Sequence, residues 1–170
     1  MKISVVNSND IEVYQNTLNE HLMSVFGQDS RVVLNREFVC AVLVEDENQL
    51  VATGLAYSRI MKQHSANFKA GIIGGVSVRA DKRGLGLAKV VIQELEQCLV
   101  SVGVTHSFLF AYQPDVYRSS GYTELTAAIH YFDLTQNKWQ QFVYRGGMVK
   151  CLKGGKPLSD QLIEFNGCVY

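Results

Sequence analysis

Residues 74–89, Gly-Gly-Val-Ser-Val-Arg-Ala-Asp-Lys-Arg-Gly-Leu-Gly-Leu-Ala-Lys, combine the residue types and spacing that can bind an anion. An apolar strand comes first, then a turn with two glycines, and from Gly86 onward the apolar spacing of a helix. Such a turn directs several backbone N–H groups and a helix N-terminus at one point, where a pyrophosphate fits well. Because no Lys-Ser or Lys-Thr follows the glycines, the sequence favours a coenzyme that carries a diphosphate over a nucleoside triphosphate.

The same turn has a plainer interpretation, in which the glycines only permit unusual dihedral angles between a strand and a helix. The two common nucleotide patterns are absent. A dinucleotide fingerprint requires a small residue at position 89, which is Lys89 here, and a P-loop requires Gly-Lys-Ser/Thr. Arg83 and Lys89 are either solvated charges or direct ligands of a phosphate. The turn alone therefore indicates an anion site without identifying the ligand.

The hydrophobic periodicity predicts the elements that position this turn. Helices are expected over 8–26, with Asn7 or Ser8 as N-cap and Gly27 as the stop, over 86–102 with Gly103 closing it, and over 114–121. Residues 61–69 are polar and predicted to be a loop. Strands are expected over 2–6, 38–44, 50–60, 70–78, 107–112, 127–134, 147–152 and 162–165. This order predicts an α+β, three-layer α/β/α domain around a mixed, mostly antiparallel sheet.

Composition limits the class of protein. The chain of 170 residues has sixteen basic and sixteen acidic residues, so no basic surplus indicates a nucleic-acid partner. Its length predicts one domain, 1–170. No apolar run approaches about 18 residues, so no membrane span is expected, and we expect a cytoplasmic protein. The four cysteines lie far apart, without metal-ligand spacing, which predicts buried thiols and no metal site: Cys40, Cys98, Cys151 and Cys168.

Two motifs resemble those of one enzyme family, the GCN5-related N-acetyltransferases (GNAT superfamily). Arg83, Gly86 and Ala88 occupy the places of that family's motif A, Arg/Gln-x-x-Gly-x-Gly/Ala. Residues 117–122, Tyr-Arg-Ser-Ser-Gly-Tyr, resemble its Tyr-x-x-x-Gly-Phe/Tyr element. The resemblance covers about residues 2–135 as the core, leaving 136–170 as a C-terminal extension. It implies the GNAT acyl-CoA N-acyltransferase fold.

The resemblance also implies a cosubstrate and a reaction. Acetyl-CoA would donate an acetyl group directly to a primary amine. The main chain of the strand Val76, Ser77 and Val78 would bind the pantetheine amides as an added strand does. The Val78 N–H, or a neighbour, would donate to the thioester oxygen. The pyrophosphate would lie on backbone N–H groups of the turn, with basic side chains at both ends: Arg83, Gly84, Leu85, Gly86, Leu87, Ala88 and Lys89.

Tyr117 matches the family tyrosine that donates a proton or hydrogen bond to the coenzyme sulfur, which suits a phenol with an ordinary pKa near 10. Tyr122 is expected in the core. Many relatives carry a Glu before the turn, whereas this chain has Gly74 and Gly75. Ordered water and backbone carbonyls, or a group from another segment, would then accept the amine's proton. The side-chain candidates are His64, His106, His130, Glu164 and the terminal carboxylate of Tyr170.

Residues 112–115, Tyr-Gln-Pro-Asp, depart from the Asn and Ala that relatives often have after the fifth strand, which puts the coenzyme contact from this region in doubt. The segment 165–170 is similar to the end of aminoglycoside 2′-N-acetyltransferases, and 155–167 to that of nodulation N-acyltransferases, both of which act on amino sugars. This resemblance implies that Tyr170 contacts an amino-sugar acceptor. Alternatively, the C-terminal segment is a plain edge strand without a role in binding. The acceptor could equally be a protein or peptide amine, and a homodimer also remains open.

Two other functions fit the same resemblance. One is a non-catalytic sensor that binds acyl-CoA without turnover. The other is transfer of a longer acyl chain, for which Gly74 and Gly75 beside the expected thioester would leave room.

Overall fold

The computed structural model describes all residues from Met1 to Tyr170. Ten strands form one mixed sheet in the order β6-β9-β5-β4-β3-β10-β7-β8, with β2 pairing β3 and β1 pairing β2. The elements are β1 (Lys2–Asn7), α1 (Ile11–Phe26), β2 (Phe38–Asp46), β3 (Gln49–Gln63), β4 (Ala66–Val78), a 3₁₀ turn (Ala80–Lys82), α2 (Leu87–Ser101), β5 (His106–Phe110), α3 (Asp115–Arg118), β6 (Thr123–Glu124), β7 (Ile129–Asp133), β8 (Lys138–Phe142), β9 (Gly147–Cys151) and β10 (Ile163–Glu164).

The chain divides into two compact units. The first unit comprises Met1–Tyr57 and Ile73–Cys98, and the second comprises Ser58–Ile72 and Leu99–Tyr170. No helix of this chain is long and apolar enough to cross a membrane.

In the first unit, β1, β2 and the beginning of β3 form an antiparallel meander. The β2–β3 hairpin turns at Glu47 and Asn48, whose φ angles of 50° and 61° are those of a type I′ turn. The Arg79 N–H donates to the Val51 carbonyl over 2.8 Å, where β4 leaves the sheet. The predicted strands 38–44 and 50–60 are thus confirmed, and they pair as an antiparallel hairpin with a tight turn.

The helices of the first unit cover opposite faces of its strands. Gly54 and Leu55 are consecutive in β3, so their side-chain directions are opposite. A Cβ on Gly54 would lie 2.6 Å from Val91 of α2, whereas a Cβ on Gly75 would lie beside Leu55 and Leu22 of α1. The strands are therefore a layer between α1 and α2, as the predicted three-layer α/β/α arrangement requires.

In the second unit, β9 pairs with both β5 and β6 antiparallel, and β10 lies between β3 and β7, parallel to β7. Residues 136–170 therefore contribute three strands to the sheet. Phe108 and Phe165 pack edge to face at 5.1 Å in the core of this unit. Its most deeply buried members include Met61, Ile72, Phe108, Ile129, Ile163 and Phe165.

Several sequence-based boundaries are wrong. α1 begins at Ile11 after Asp10, which makes no side-chain cap, so neither Asn7 nor Ser8 caps it. Residues 61–69 are not a loop, because β3 continues to Gln63 and β4 starts at Ala66. The polar Gln63 is buried there since its amide donates to the Ser159 and Gln161 carbonyls.

Other differences lie at strand ends and edges. The strand expected over 107–112 ends at Phe110, and Tyr112 is 99% exposed. The sequence did not predict β6 or β8. β8 is an exposed edge strand paired with β7 alone, so its Lys-Trp-Gln-Gln-Phe sequence lacks the alternation of a half-buried strand. The stops at Gly27 and Gly103 are confirmed by left-handed φ angles of 106° and 82°.

Candidate functional site

The turn between β4 and α2 has the strand–turn–helix geometry that its sequence predicts. β4 ends at Val78 and α2 begins at Leu87. Gly84 and Gly86 have φ angles of 81° and 75°, in the left-handed region that favours glycine. A Cβ on either would meet no atom within 4 Å, so glycine is needed here for the backbone angle and not for lack of space. The main chain of the turn is left uncovered by neighbouring atoms.

Backbone donors are free at this turn. The Val90 N–H is the first in α2 to find a helical acceptor, the Gly86 carbonyl at 3.2 Å. The N–H groups of Leu87, Ala88 and Lys89 precede it and lack an intrahelical partner, as the first donors of any helix do. They lie beside the uncovered backbone of Gly84 and Gly86. This arrangement can bind a phosphate through main-chain donors and the helix dipole.

The acidic side chains near the turn are neutralised. Asp81 accepts from Arg79 through both carboxylate oxygens, at 2.6 and 2.8 Å, and these hydrogen bonds hold the pKa of Asp81 below its usual value. The Lys82 ammonium lies 2.6 Å from Asp46 and likewise lowers the pKa of that carboxyl. Arg79 also donates to Gln49. The two carboxylates bonded to Arg79 and Lys82, Asp81 and Asp46, are therefore neutralised by these cations.

Two cations at the ends of the turn remain outside ion pairs. The Arg83 Nε donates to the Val78 carbonyl at 3.3 Å, which places this guanidinium beside the end of β4. Lys89 is exposed in the first turn of α2. Both side chains are free to contact a phosphate, as the sequence analysis allows.

The strand before the turn has an irregular backbone. Gly75 has a φ of 61°, just before Val76, Ser77 and Val78. Val76 and Val78 are half-buried, whereas Ser77 is buried. The Ser77 Oγ and the His21 Nε2 are buried side-chain atoms without a hydrogen-bond partner. Burial chiefly lowers the pKa of His21, so this imidazole is neutral near pH 7.

Tyr117 lies in α3, in the second unit. Its N–H donates to the Pro114 carbonyl at 3.0 Å, and its own carbonyl accepts from the Ser120 N–H at 3.0 Å. The side chain is half-buried, and burial raises the pKa of its phenol above the usual 10. The phenol therefore keeps its proton at neutral pH and can donate it. Tyr122 is buried, as predicted, with its hydroxyl 2.7 Å from the Ser107 Oγ.

The C-terminal segment is fixed by a buried arginine. Arg59 is 9% exposed, and its Nη1 donates to the carbonyls of Cys168 at 2.7 Å and Phe165 at 3.3 Å. Its guanidinium carbon lies 5.5 Å from the centroid of the Tyr170 ring. A Cβ at position 167 would lie 2.6 Å from the guanidinium, so Gly167 permits this close approach. Tyr170 is half-buried at the end of this segment.

The predicted proton acceptors differ in their freedom to act. His106 is buried, with Nδ1 2.9 Å from the Thr105 hydroxyl and Nε2 2.6 Å from the Lys156 carbonyl, so both nitrogens have partners. The exposed His64 lies 3.2 Å from the Ser159 hydroxyl. His130 stacks on Trp139 at 4.8 Å, and Glu164 lies half-buried in β10. No group of three or more His, Cys, Asp or Glu side chains could hold a metal ion.

The first unit brings together the predicted coenzyme residues, from Val76 to Lys89, whereas Tyr117 and Tyr170 belong to the second unit. Sequence reasoning missed Arg59 and His21. Arg59 was detectable as a charge within the apolar stretch 50–60, and His21 as a His on the same helical face as Leu18 and Leu22. Neither pattern reveals which atoms the side chain contacts.

Known proteins share this architecture. A sequence model described as an acetyltransferase (GNAT) domain matches residues 5–125. No curated protein sequence is significantly similar to the chain. Among solved structures, the chain is similar to a GNAT family N-acetyltransferase (YhbS) from Escherichia coli in complex with CoA, with a TM-score of 0.64 and 15% identity over 96% of this chain and 88% of that chain.

Two further structures show the same likeness. An aminoglycoside acetyltransferase from an uncultured soil metagenomic sample, in complex with trehalose, has a TM-score of 0.55 and 20% identity over 70% of this chain and 86% of that chain. A conserved protein of unknown function from Enterococcus faecalis has a TM-score of 0.63 and 17% identity over 75% of this chain. The chain spans only 33% of that protein's length. At these identities the likeness establishes a common fold.

Proposed function

The chain belongs to the GNAT acetyltransferase family, and from this premise we propose that it is an acetyl-CoA-dependent N-acetyltransferase. It would transfer the acetyl group from the thioester directly to a primary amine, releasing the coenzyme as a thiol. The observation that carries the proposal is the uncovered glycine turn, whose helix N-terminal donors have no acceptor in the chain while Asp81 and Asp46 nearby are paired with cations.

In this proposal the turn holds the pyrophosphate. The N–H groups of Leu87, Ala88 and Lys89 complete their hydrogen bonds on the phosphate oxygens, together with those of Gly84, Leu85 and Gly86. Arg83 and Lys89 add charge-assisted contacts. The E. coli YhbS structure contains CoA, which supports a coenzyme A ester as the ligand of this fold.

The main chain of Val76, Ser77 and Val78 would pair with the pantetheine amides. Gly75 supports this role, since its left-handed φ interrupts the regular strand immediately before these residues. The Val78 N–H, or a neighbouring one, would stabilise the negative charge that develops on the thioester oxygen.

Tyr117 is proposed as the proton donor to the departing thiolate. Its raised pKa keeps the phenol protonated under the conditions of the reaction. The strand before the turn has no carboxylate that could accept the amine's proton, so the general base would come from another segment or from ordered water. His106 is the weakest candidate since both its nitrogens are already bonded. The terminal carboxylate of Tyr170 stays in consideration because Arg59 fixes the segment that carries it.

The acceptor is proposed to be an amino sugar or another small amine. Three similar structures are of two aminoglycoside acetyltransferases, one of which was also solved in complex with sisomicin. These structures add to the resemblance between residues 165–170 and the end of aminoglycoside 2′-N-acetyltransferases. In this proposal Tyr170 contacts the acceptor. We propose residues 1–170 as one acyltransferase domain, since similarity to YhbS extends over 96% of the chain.

The test is a thiol-release assay with acetyl-CoA against aminoglycosides, glucosamine oligomers, polyamines and peptide amines. We expect release with at least one amino sugar or polyamine, and loss of that release in Tyr117→Phe. Octanoyl-CoA as alternative donor identifies transfer of a longer chain. Tight binding of coenzyme A without release by any amine would instead identify an acyl-CoA sensor.

A further inference from the structure

The strand β1 forms an open edge of the sheet in the first unit. It pairs with β2 alone, from Lys2 to Asn7 and without a bulge. Alternate residues of an antiparallel strand direct their N–H and C=O groups to opposite sides, so half of these groups in β1 point away from β2. The central residues 3–6, Ile-Ser-Val-Val, contain none of the charges or prolines that protect exposed edges. This edge can therefore pair with a further strand.

Apolar side chains are exposed along one face of this edge. Val5 pairs with Val42, Val42 pairs with Gly54, and Gly54 faces α2, since a Cβ there would lie 2.6 Å from Val91. Directly paired residues share a face, so Val5 and the alternate residue Ile3 lie on the α2 side of the strands. They are nevertheless 46% and 47% exposed. Hence α2 does not cover them, and they are available to a neighbour at the edge.

The opposite face of the edge contains a cavity beside the first turn of α1. Its volume is about 290 Å³, and it is lined by Ser4, Val5, Val6, Asp10, Val13 and Tyr14. Val13 is 82% exposed although its side chain is apolar. The Asp10 carboxylate makes no cap hydrogen bond and is also exposed. This face of the edge therefore offers an apolar surface with a carboxylate beside it.

We propose that β1 pairs antiparallel with β1 of a second copy of this chain, with Ser4 opposite its own counterpart. This register places the exposed Ile3 opposite Val5 of the second copy, and symmetry forms this apolar pair twice. A pairing centred on Val5 would instead place Ile3 opposite the polar Asn7. The inference is independent of the proposed function, because it uses neither the coenzyme nor the acceptor.

Symmetry brings the two cavities together. Antiparallel pairing of identical strands in one sheet is related by a two-fold axis perpendicular to that sheet. The α1 helices of both copies then lie on the same face, with their first turns beside the paired strands. The exposed Val13 of each copy would be covered in this arrangement, which removes apolar surface from water.

Charge complementarity favours a second copy as the occupant. Lys2 lies 3.5 Å from Glu45 yet remains mostly exposed, and it shares the face of Ser4 and Val6. In the proposed register Lys2 lies opposite Val6 of the second copy, which lines the same cavity as Asp10.

Each lysine would therefore approach a carboxylate of the other copy, at both ends of the paired strands. Within one chain Lys2 and Asp10 are separated by the length of β1, about 17 Å, so pairing of the copies is what brings these charges together.

The first test is sedimentation velocity of the full chain at about 1 to 200 μM. We expect a dimer that dissociates on dilution. Val5→Lys should raise the dimer Kd by about 2- to 30-fold, because an apolar cross-strand pair is lost twice. The matched control is Val33→Lys, at a valine that is 41% exposed outside the strands and helices.

Circular dichroism verifies that each variant is folded. A chain that stays monomeric throughout this range leaves the edge to a strand of another protein and overturns the proposal. An equal Kd for folded Val5→Lys and Val33→Lys overturns it as well.

Orientation is tested by charge reversal. Lys2→Glu and Asp10→Lys should each raise the dimer Kd by about 2- to 30-fold, because each change disrupts two symmetric ion pairs. The double variant restores opposite charges between the copies, so its Kd should return to within about threefold of wild type. A double variant that is as weak as the sum of both changes overturns the antiparallel arrangement.

Register is tested by Ser4→Cys under oxidation by glutathione disulfide. The two cysteines would face each other with Cα atoms about 5 Å apart, within the range of a disulfide. We expect two chains linked through position 4, identified by mass spectrometry of the linked peptides. Lys2→Cys is the control, since its counterparts would lie about 13 Å apart. Linkage through position 2 as efficient as through position 4 overturns the proposed register.

Discussion

The guanidinium of Arg59 donates a 2.7 Å hydrogen bond to the main-chain carbonyl of Cys168, 109 positions later in the chain. A charge this deeply buried is stable only when its N–H groups are satisfied. The carbonyls of the C-terminal segment provide acceptors, and the contact joins β3 to the residues just before Tyr170. The position of the chain end is therefore set by a side chain in the middle of the sheet.

Replacing this side chain should release the C-terminal segment. In Arg59→Met the Cys168 and Phe165 carbonyls lose a donor, and we expect the free energy of unfolding to fall by about 2 kcal/mol. Amide hydrogen exchange of residues 168–170 should become faster. Urea unfolding and exchange measured by NMR provide the test, with the exposed Arg145→Met as matched control. Equal protection of these amides in both variants would contradict the role of Arg59.

Gly86→Ala should weaken the binding of the coenzyme. The φ of 75° strains an alanine by about 1–2 kcal/mol, although the space around it is open. The backbone would shift and misdirect the N–H groups of α2, so the KM for acetyl-CoA should rise by about tenfold. Gly27→Ala, at φ 106° with equally open surroundings, is the control. A similar KM for acetyl-CoA in both variants would contradict the proposal that this turn binds the coenzyme.

Tyr117→Phe tests the proton donor. Loss of a general acid should lower kcat by at least about 100-fold, with the Kd for coenzyme A unchanged within about threefold. Since burial raises the pKa of Tyr117, wild-type activity should not lose this donor until the pH exceeds 10. Stopped-flow or steady-state assays across pH provide the measurement. The control is Tyr112→Phe at a fully exposed phenol, and a kcat for Tyr117→Phe equal to that of this control would refute the role.

His21 should make stability depend on pH. Burial lowers its pKa in the folded state, the main-chain contacts with Leu50 and Ser77 oppose this, and the charge of Arg79 lowers the pKa further. The unfolded chain therefore takes up the proton first, so stability is fully present above pH 6.5 and declines as the pH falls toward the folded pKa.

The measurement is Tm between pH 8 and pH 5 for wild type, His21→Leu and the exposed-site control His64→Leu. We expect the acid-side decline to shrink in His21→Leu and to persist in His64→Leu. If His21→Leu keeps the full decline, another group is responsible.

Local patterns in the sequence were sufficient for most of the elements and for the glycine turn. The order of strands and helices follows from apolar spacing, and the residues at 83–88 predict a glycine turn with free helix N-terminal donors, because glycine angles and these donors are local properties. The long β3–β4 hairpin escaped prediction because Gln63 is buried only through partners at residues 159–161. The edge strand β8 escaped because it is mostly exposed and has no buried face to impose alternation.

The sequence by itself determined the fold class, through the order of elements along the chain, and also the position of the glycine turn and the candidate tyrosine, which short motifs encode. Tertiary structure alone decided that Arg59 fixes the chain end, that His106 has both nitrogens engaged, and that the rings of Phe110, Tyr131, Phe142 and Tyr144 meet in the second unit. These contacts join residues from separate strands, and the pairing of strands depends on the whole sheet rather than on any single segment.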